Sequence, residues 1–479
     1  MKHSVLLAVT VSLGTMATAC SSAGTGGANN GPGTGGGGGS RSGGQAGSAS
    51  STGGSSGSGG QTSSSTGGTS GNNGGSPGSG GAPSGTGGAA GGTGGSSGAD
   101  AGDAARPETN PGGEAGTPSE PATPGPTDLT KHRYSKAIKL DTTAAGAGVM
   151  GDVLKYPVAV LLNAMNFDFA QAMPAGEDIR FATPEGTLLP YSIELWDVAT
   201  KQAAIWVKVD VKGNSNTQSI VMHWGNPAAQ SASSSRQVFS MEDGYRGVFH
   251  LDQDGSNAPG HYKDSSPHEA HLTGFRMEPG TAVAARIGKG TELSNPGGQG
   301  KNQWLGIEGP KVVTEYNAGP NKAVTATAWA YAHTFGGYYE TIFSKGDHAW
   351  TLQRDYMGRM EACTWSGSYH ACAITGAPVT KRWNHYMVVS TTSQLTLFID
   401  GRRVAGTASF NQTSDHGFAI AHNYEAHADA LAKRREWHGI IDEVRVIVGP
   451  AKDANWALLD FGSQKEGSTF LTFGPTMMK

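Results

Sequence analysis

Between Trp383 and Val404 the chain reads WNHYMVVSTTSQLTLFIDGRRV. Tyr386 to Val389 is an apolar run closed by the polar cluster Ser390-Thr391-Thr392-Ser393. Leu395, Leu397 and Ile399 then alternate with Thr396, Phe398 and Asp400, the period of two that marks a half-buried strand. Asp400-Gly401 is a hairpin signal, because a type I′ turn needs φ > 0 at both central positions. Three short strands are predicted here, the last returning through Arg402 to Val404.

The same pattern runs from Tyr134 onward. Ala137 to Leu140, Pro157 to Leu162, Ile205 to Val211 and Ser219 to Trp224 are short apolar or alternating runs. Ile205, Val207, Val209 and Val211 share one face, with Trp206, Lys208 and Asp210 on the other. Turn clusters such as Thr183-Pro184-Glu185-Gly186 and Gly225-Asn226-Pro227 separate the runs. Further strands are predicted over Thr325 to Tyr331, Ile342 to Lys345 and Gly439 to Val446. Helical periodicity is confined to a short stretch after Pro450, where Asp453 is placed to cap a turn through Trp456 and Leu459. The expected class is all-β, with two β-sandwich domains.

Composition restricts that reading to part of the 479 residues. Nearly all the excess of the 75 glycines lies before residue 127. Ser21 to Thr127 is Gly/Ser/Thr/Ala-rich and then Pro-rich, with almost nothing to bury, so a disordered tether is expected. A flexible coil of that length spans on the order of 55 Å. Gly53-Gly54-Ser55-Ser56-Gly57 fits GxSxG there without the strand and helix that motif needs. Lys2 and His3, then the apolar Val5 to Leu13, then Ala17-Thr18-Ala19-Cys20, read as an export signal too short to span a bilayer. The segment resembles a bacterial lipobox, departing from the commonest pattern at Ala17; the resemblance implies cleavage before Cys20 and a diacylglycerol on its thiol. Ser21 after the Cys resembles lipoproteins sorted to an outer membrane. Localisation in the cell envelope, lipid-anchored at the outer membrane or cell surface, is the expectation. Lys+Arg 35 against Asp+Glu 39 gives a net charge of -4, and no dense basic patch indicates a nucleic-acid partner.

Two resemblances organise the remainder. Tyr156-Pro157-Val158-Ala159-Val160, Phe167-Asp168-Phe169, Asp178-Ile179-Arg180-Phe181, Pro184-Glu185-Gly186, Glu194-Leu195-Trp196-Asp197 and His223-Trp224-Gly225-Asn226-Pro227 follow in an order similar to the domain of unknown function family 2341. That resemblance implies a β-rich, bacterial, envelope-associated domain. Tyr245-Arg246-Gly247-Val248-Phe249, Asp264-Ser265-Ser266, Ala328-Trp329, the opening stretch and Gly439-Ile440-Ile441-Asp442-Glu443-Val444 resemble the laminin-G-like branch of the concanavalin A-like jelly rolls. That second resemblance implies that the last strand pairs back towards the first. The resulting division is a lipoprotein signal peptide at 1–20, a disordered Gly/Ser/Pro-rich linker at 21–127, a first β-sandwich at 128–242 and a laminin-G-like jelly roll at 243–479.

Candidate chemistry is sparse. Cys363 and Cys372 flank a turn centred on Gly367-Ser368. Counting outward puts them at a non-hydrogen-bonded pair with Cα atoms roughly 4.5 Å apart, so a disulfide is expected. Asp442-Glu443 sits where related glycoside hydrolases carry their catalytic strand, and such enzymes need two carboxylates about 5–5.5 Å apart to retain configuration. Ile440 and Arg445 break that pattern, and adjacent residues on a regular strand face opposite sides, so no catalytic residue is assigned. His416, His422, His427 and His438 lie near Asp415, Glu425 and Asp429 without zinc-motif spacing. Calcium is the cofactor weighed, through Asp264 and Asp442, because lectin-like jelly rolls often hold it at a rim. Tyr338, Tyr339, Trp350, Trp365 and Tyr369 are the candidate ligand-binding rings.

The function expected is recognition or adhesion at the cell surface, with a glycan or other surface polymer as partner. A carbohydrate-active hydrolase and a purely structural envelope component with protein partners are the alternatives. Membrane contact is expected through the lipid only.

Overall fold

Trp383–Ser390, Gln394–Ile399 and Arg402–Ala408 are consecutive antiparallel strands, in register through Val388, Leu397 and Ala405. Asp400 and Gly401 have φ of 49° and 76° and make the tight turn. In this computed structural model, residues 128–298, 301–336, 338–346, 348–365, 370–409, 413–424 and 435–479 are described. The expectations for Cys20, the signal segment and the tether lie outside them.

The apolar run Tyr386 to Val389 has a specific cause. Tyr386 and Val388 enter one core, whereas Met387 and Val389 enter a second on the opposite face. Leu395 and Leu397 likewise face one core and Phe398 the other. A sheet buried on both faces needs continuous rather than alternating apolar sequence. Among the described residues this sheet has eight strands and packs over a seven-stranded sheet running from His370–Ile374 to Thr273–Phe275. Tyr245–Phe249 pairs with Gly439–Gly449, so the last long strand meets the first of this unit.

The other sandwich sets a three-stranded sheet, Val153–Asn163, Gln202–Val211 and Tyr191–Asp197, against a six-stranded one. The alternation along Gln202–Val211 predicts Trp206 on an open face, yet it is fully buried. The reason is that the second sandwich covers it: His250 stacks on its ring at 6.1 Å and the Arg445 guanidinium lies 4.2 Å from the ring centre.

Residues beyond 450, grouped by sequence with the second sandwich, also serve the first. The helix Ala454–Gln464 is capped by Asp453, which accepts the Trp456 N–H at 2.9 Å. It buries Trp456, Ala457 and Leu459 in the first core. Its backbone passes so close to the 400–401 turn that a Cβ on Gly401 would lie 3.1 Å from Leu458 Cα. Leu471–Phe473 and Met477–Met478 then pair with Tyr134–Leu140. Cys363 and Cys372 are disulfide-bonded at a Cα separation of 4.2 Å, and Trp365 faces His370 as the turn count requires. No helix among the described residues is long and apolar enough to cross a membrane.

Candidate functional site

The outer face of the eight-stranded sheet, where the C-terminal helix ends, carries a cleft of ≈470 Å³. Strand Ala323–Ala332 sends Trp329 and Tyr331 to it, two residues apart and so on one face. Trp383 lies directly across from Tyr331 in the ladder, their rings 5.6 Å apart. Trp329 is buried and forms the floor, its indole N–H donating to Gln464 at 2.7 Å. Tyr331 and Trp383 are half-buried and present ring surface.

Cations surround these rings. Lys381 and Arg382 precede the core strand, Lys465 follows Phe461 by one helical turn, and Arg286 comes from the 285–288 turn. The Arg286 guanidinium lies 5.6 Å from the Trp329 ring centre, and Lys465 Nζ 5.6 Å from that of Phe461. Asp400 pairs with Arg382, and Glu466 stands 3.7 Å from Arg286. Four cations against these two carboxylates leave an excess of two positive charges. Burial lowers the Arg286 pKa, against the pull of Glu466 and Asp442. Stacking surface beside hydrogen-bonding cations is an arrangement that holds a polar ring with an apolar face.

A second cluster lies buried between the sandwiches. Glu443 has φ of 51°, and the ladder slips by one residue opposite Thr327 and Trp329. This bulge turns Asp442 and Glu443 to the same side as Arg445, correcting the expectation that adjacent positions face apart. Arg445 donates to Glu443 at 2.7 Å and to Asp460 at 3.2 Å. His250 Nδ1 lies 2.6 Å from Glu443 and 3.2 Å from Glu194. Trp206 donates to Glu194 at 2.6 Å. Asp460 accepts from Tyr156 at 2.8 Å and lies 2.8 Å from His385 Nε2.

Burial disfavours every charge in this cluster, and the partners decide which survive. Desolvation raises Glu194 and Asp442 well above the usual carboxylate range. Against the same desolvation, His250 and Arg445 hold Glu443 low, and His385 and Arg445 hold Asp460 low. Burial pulls His250 down, but Glu443 and Glu194 outweigh it and lift its pKa to about 9. Two cations, Arg445 and His250, face the carboxylates of Glu443 and Asp460. Glu194, His250 and Glu443 also bring their ligand atoms within 4.8 Å of one another, as a divalent cation requires. With His250 protonated, the set is held by ion pairs of His250 to both carboxylates, while Glu194 Oε1 has no hydrogen-bond partner among the described residues. Asp442 and Glu443 are 0% and 2% exposed, out of reach of a substrate.

This cluster fixes a pH response. A histidine whose folded pKa is above its unfolded value of about 6.5 gives its full stabilisation below that pH and loses it as pH rises through about 9. The loss should approach about 3 kcal/mol. Urea denaturation at pH 6 and pH 9.5 measures it, and His250→Gln should flatten that part of the profile. An equal slope in the variant would refute the assignment.

Residues 175–253 match the domain of unknown function family DUF2341, and residues 308–452 match the concanavalin A-like lectin/glucanases superfamily in its laminin-G form. The second sandwich is a concanavalin A-like domain. No curated protein matches the chain. Among similar solved structures is the binding domain of Paraclostridial Mosquitocidal Protein 1, at 12% identity and TM-score 0.34, covering 47% of this chain and 53% of that one. Domain 4 of AbnA, a GH43 extracellular arabinanase from Geobacillus stearothermophilus in complex with arabinotriose, is 17% identical at TM-score 0.34, covering 46% and 98%. The Ruminococcus gnavus IT-sialidase CBM40 bound to alpha2,3 sialyllactose is 14% identical at TM-score 0.26, covering 36% and 96%. The chain thus spans about half the length of the first of these.

Within the concanavalin A-like domain the expected rings do not form one platform. Trp350 is a core residue, 1% exposed, packed on Phe343 and Phe418 with its N–H donated to the Tyr316 carbonyl; this corrects its reading as a ligand contact. Trp365 stacks on His370 at 5.4 Å beside the disulfide. Tyr339 packs against Tyr356 and under Arg435, and its neighbour Tyr338 is 46% exposed. Tyr369 lies outside the described residues. Asp264, a calcium candidate, accepts from Val248, Ser266 and Ala270 N–H groups and from the Ser266 hydroxyl, which pins its loop to strand Tyr245–Phe249. Asp442, the other, accepts from Ile287 N–H at 2.8 Å and shares no partner with it. His422 faces Glu436 and Trp304, whereas His438 meets Asn295; His427, Glu425 and Asp429 lie outside the described residues. The cleft residues were not singled out by sequence. Their local signal is Lys381-Arg382-Trp383, two cations and an indole at the entrance to a core strand.

Proposed function

We propose that the chain is a recognition protein of the bacterial cell envelope, lipid-anchored at Cys20, whose concanavalin A-like domain binds glycan on its outer sheet face. The observation that carries this reading is the cleft, where Tyr331 and Trp383 offer ring faces among hydrogen-bonding cations. The segment 21–127 acts as the tether between anchor and head. The buried charge network ties the two sandwiches into one head that presents the cleft.

The test is a glycan array probed with the full-length protein and its Trp383→Ala variant. Loss of a buried aromatic contact costs about 2 kcal/mol at such sites, so the variant should bind about thirtyfold more weakly. Absence of binding to any glycan would remove this reading in favour of a structural component with protein partners. An EDTA arm separates cation-dependent binding, which would place calcium at the site, from binding through the side chains of the cleft alone.

A further inference from the structure

We infer that the cleft selects glycans bearing a carboxylate, with Arg286 as the group that reads it. This rests on the glycan-binding reading and names its ligand class.

Arg286 is set apart from the other cations of the cleft. Its side chain is 12% exposed, against 53% for Arg382. Its Nε donates to the Gln464 carbonyl at 2.8 Å, which fixes the plane of the guanidinium. The nearest carboxylate to Nη1 is Glu466 at 3.7 Å, beyond hydrogen-bond length, and that side chain is 92% exposed. An exposed, screened partner at that distance contributes little. Arg286 thus lines the cleft with no hydrogen bond from either Nη to a protein acceptor among the described residues, on a guanidinium already stripped of most of its water. A planar fork in this state matches a carboxylate bidentately.

The surroundings fit the same ligand. Trp329 backs the guanidinium, and the Tyr331–Trp383 pair supplies the face for the sugar ring that carries the carboxylate. Lys381 is exposed on the rim, held by a left-handed backbone (φ of 58°) and by its N–H to the Ala332 carbonyl. Lys465 stands on the helix side. With Asp400 occupied by Arg382, the cleft keeps its positive excess for a bound anion. A neutral glycan would leave the Arg286 fork desolvated and unpaired, a cost that a carboxylate removes.

The experiment compares oligogalacturonate with its methyl ester, which keeps the ring faces and removes the charge, using the full-length protein in calorimetric titrations. A parallel array carries sialylated, uronic-acid, sulfated and neutral glycans. The acid or a sialylated glycan should bind at least about tenfold more tightly than its neutral counterpart, and the array shows which source of carboxylate is preferred. Arg286→Gln should abolish that discrimination, and Arg286→Lys should restore part of it. Lys381→Glu, at an exposed position, should weaken acidic glycans more than neutral ones and guards against misfolding at the buried site. Binding confined to neutral or sulfated glycans, or discrimination that survives Arg286→Gln, overturns the inference while leaving glycan binding intact. Binding to no glycan overturns both.

Discussion

Replacing Arg445 with Met should lower the stability of the head by about 3–5 kcal/mol, measured by urea denaturation at pH 7. The side chain is 1% exposed and lies between Glu443 and Asp460, with the Trp206 ring beneath it. Both carboxylates are held ionised in part by this guanidinium. Without it, Glu443 keeps His250, Asp460 keeps only His385 and the neutral donors Tyr156 and Gln464, and the domain interface carries an uncompensated negative charge. The large effect comes from that stranded charge rather than from the net worth of the ion pairs. A variant combining Arg445→Met with Glu443→Gln and Asp460→Asn removes the stranded charges together and should therefore be more stable than Arg445→Met alone. A loss below about 1 kcal/mol in the single variant would show that water reaches the cluster.

How far these features are legible in the sequence depends on their range. The hairpin strands follow from local alternation and one turn, and both are in place. The disulfide follows from counting outward from a turn, so it too is local. The bulge at Glu443 left a trace: Ile441 and Val444 both enter the core, although a regular strand would alternate by two, and Val446 and Val448 keep the new phase. That slip in parity is the sign that adjacent carboxylates share a face. The burial of Trp206 and Phe398 has no such trace, because it depends on which sheet covers which. The cleft is less legible still. Its residues come from positions 286, 329, 331, 381–383, 400, 461, 465 and 466, and only the sheet register and the helix bring them together. Trp350, an aromatic residue that lies in the core, shows why ring type alone cannot separate a core position from a platform.

Deleting residues 470–479 should destabilise the first sandwich by at least about 4 kcal/mol, although most of that sandwich lies more than 200 residues earlier in the chain. Phe470 is fully buried in its core, and Leu471 and Phe473 pack against that core from the edge. The Phe470 carbonyl accepts from Asp141 N–H at 2.8 Å, and Lys479 N–H donates to the Arg133 carbonyl at 2.9 Å. Between these points the segment pairs along Tyr134–Leu140, whose other side pairs with Ser219–Trp224. Truncation turns an internal strand into an edge, with its donors and acceptors open to water and to other chains. Hydrogen exchange read by mass spectrometry should show faster exchange over Tyr134–Leu140 and Ser219–Trp224, while Thr351–Arg354 in the concanavalin A-like domain stays protected. Unchanged exchange over Tyr134–Leu140 would refute the role given to the terminus. The placement also bears on anchoring. Under the proposed attachment, tension along the tether enters the folded head at Tyr134, and this strand is held on both sides.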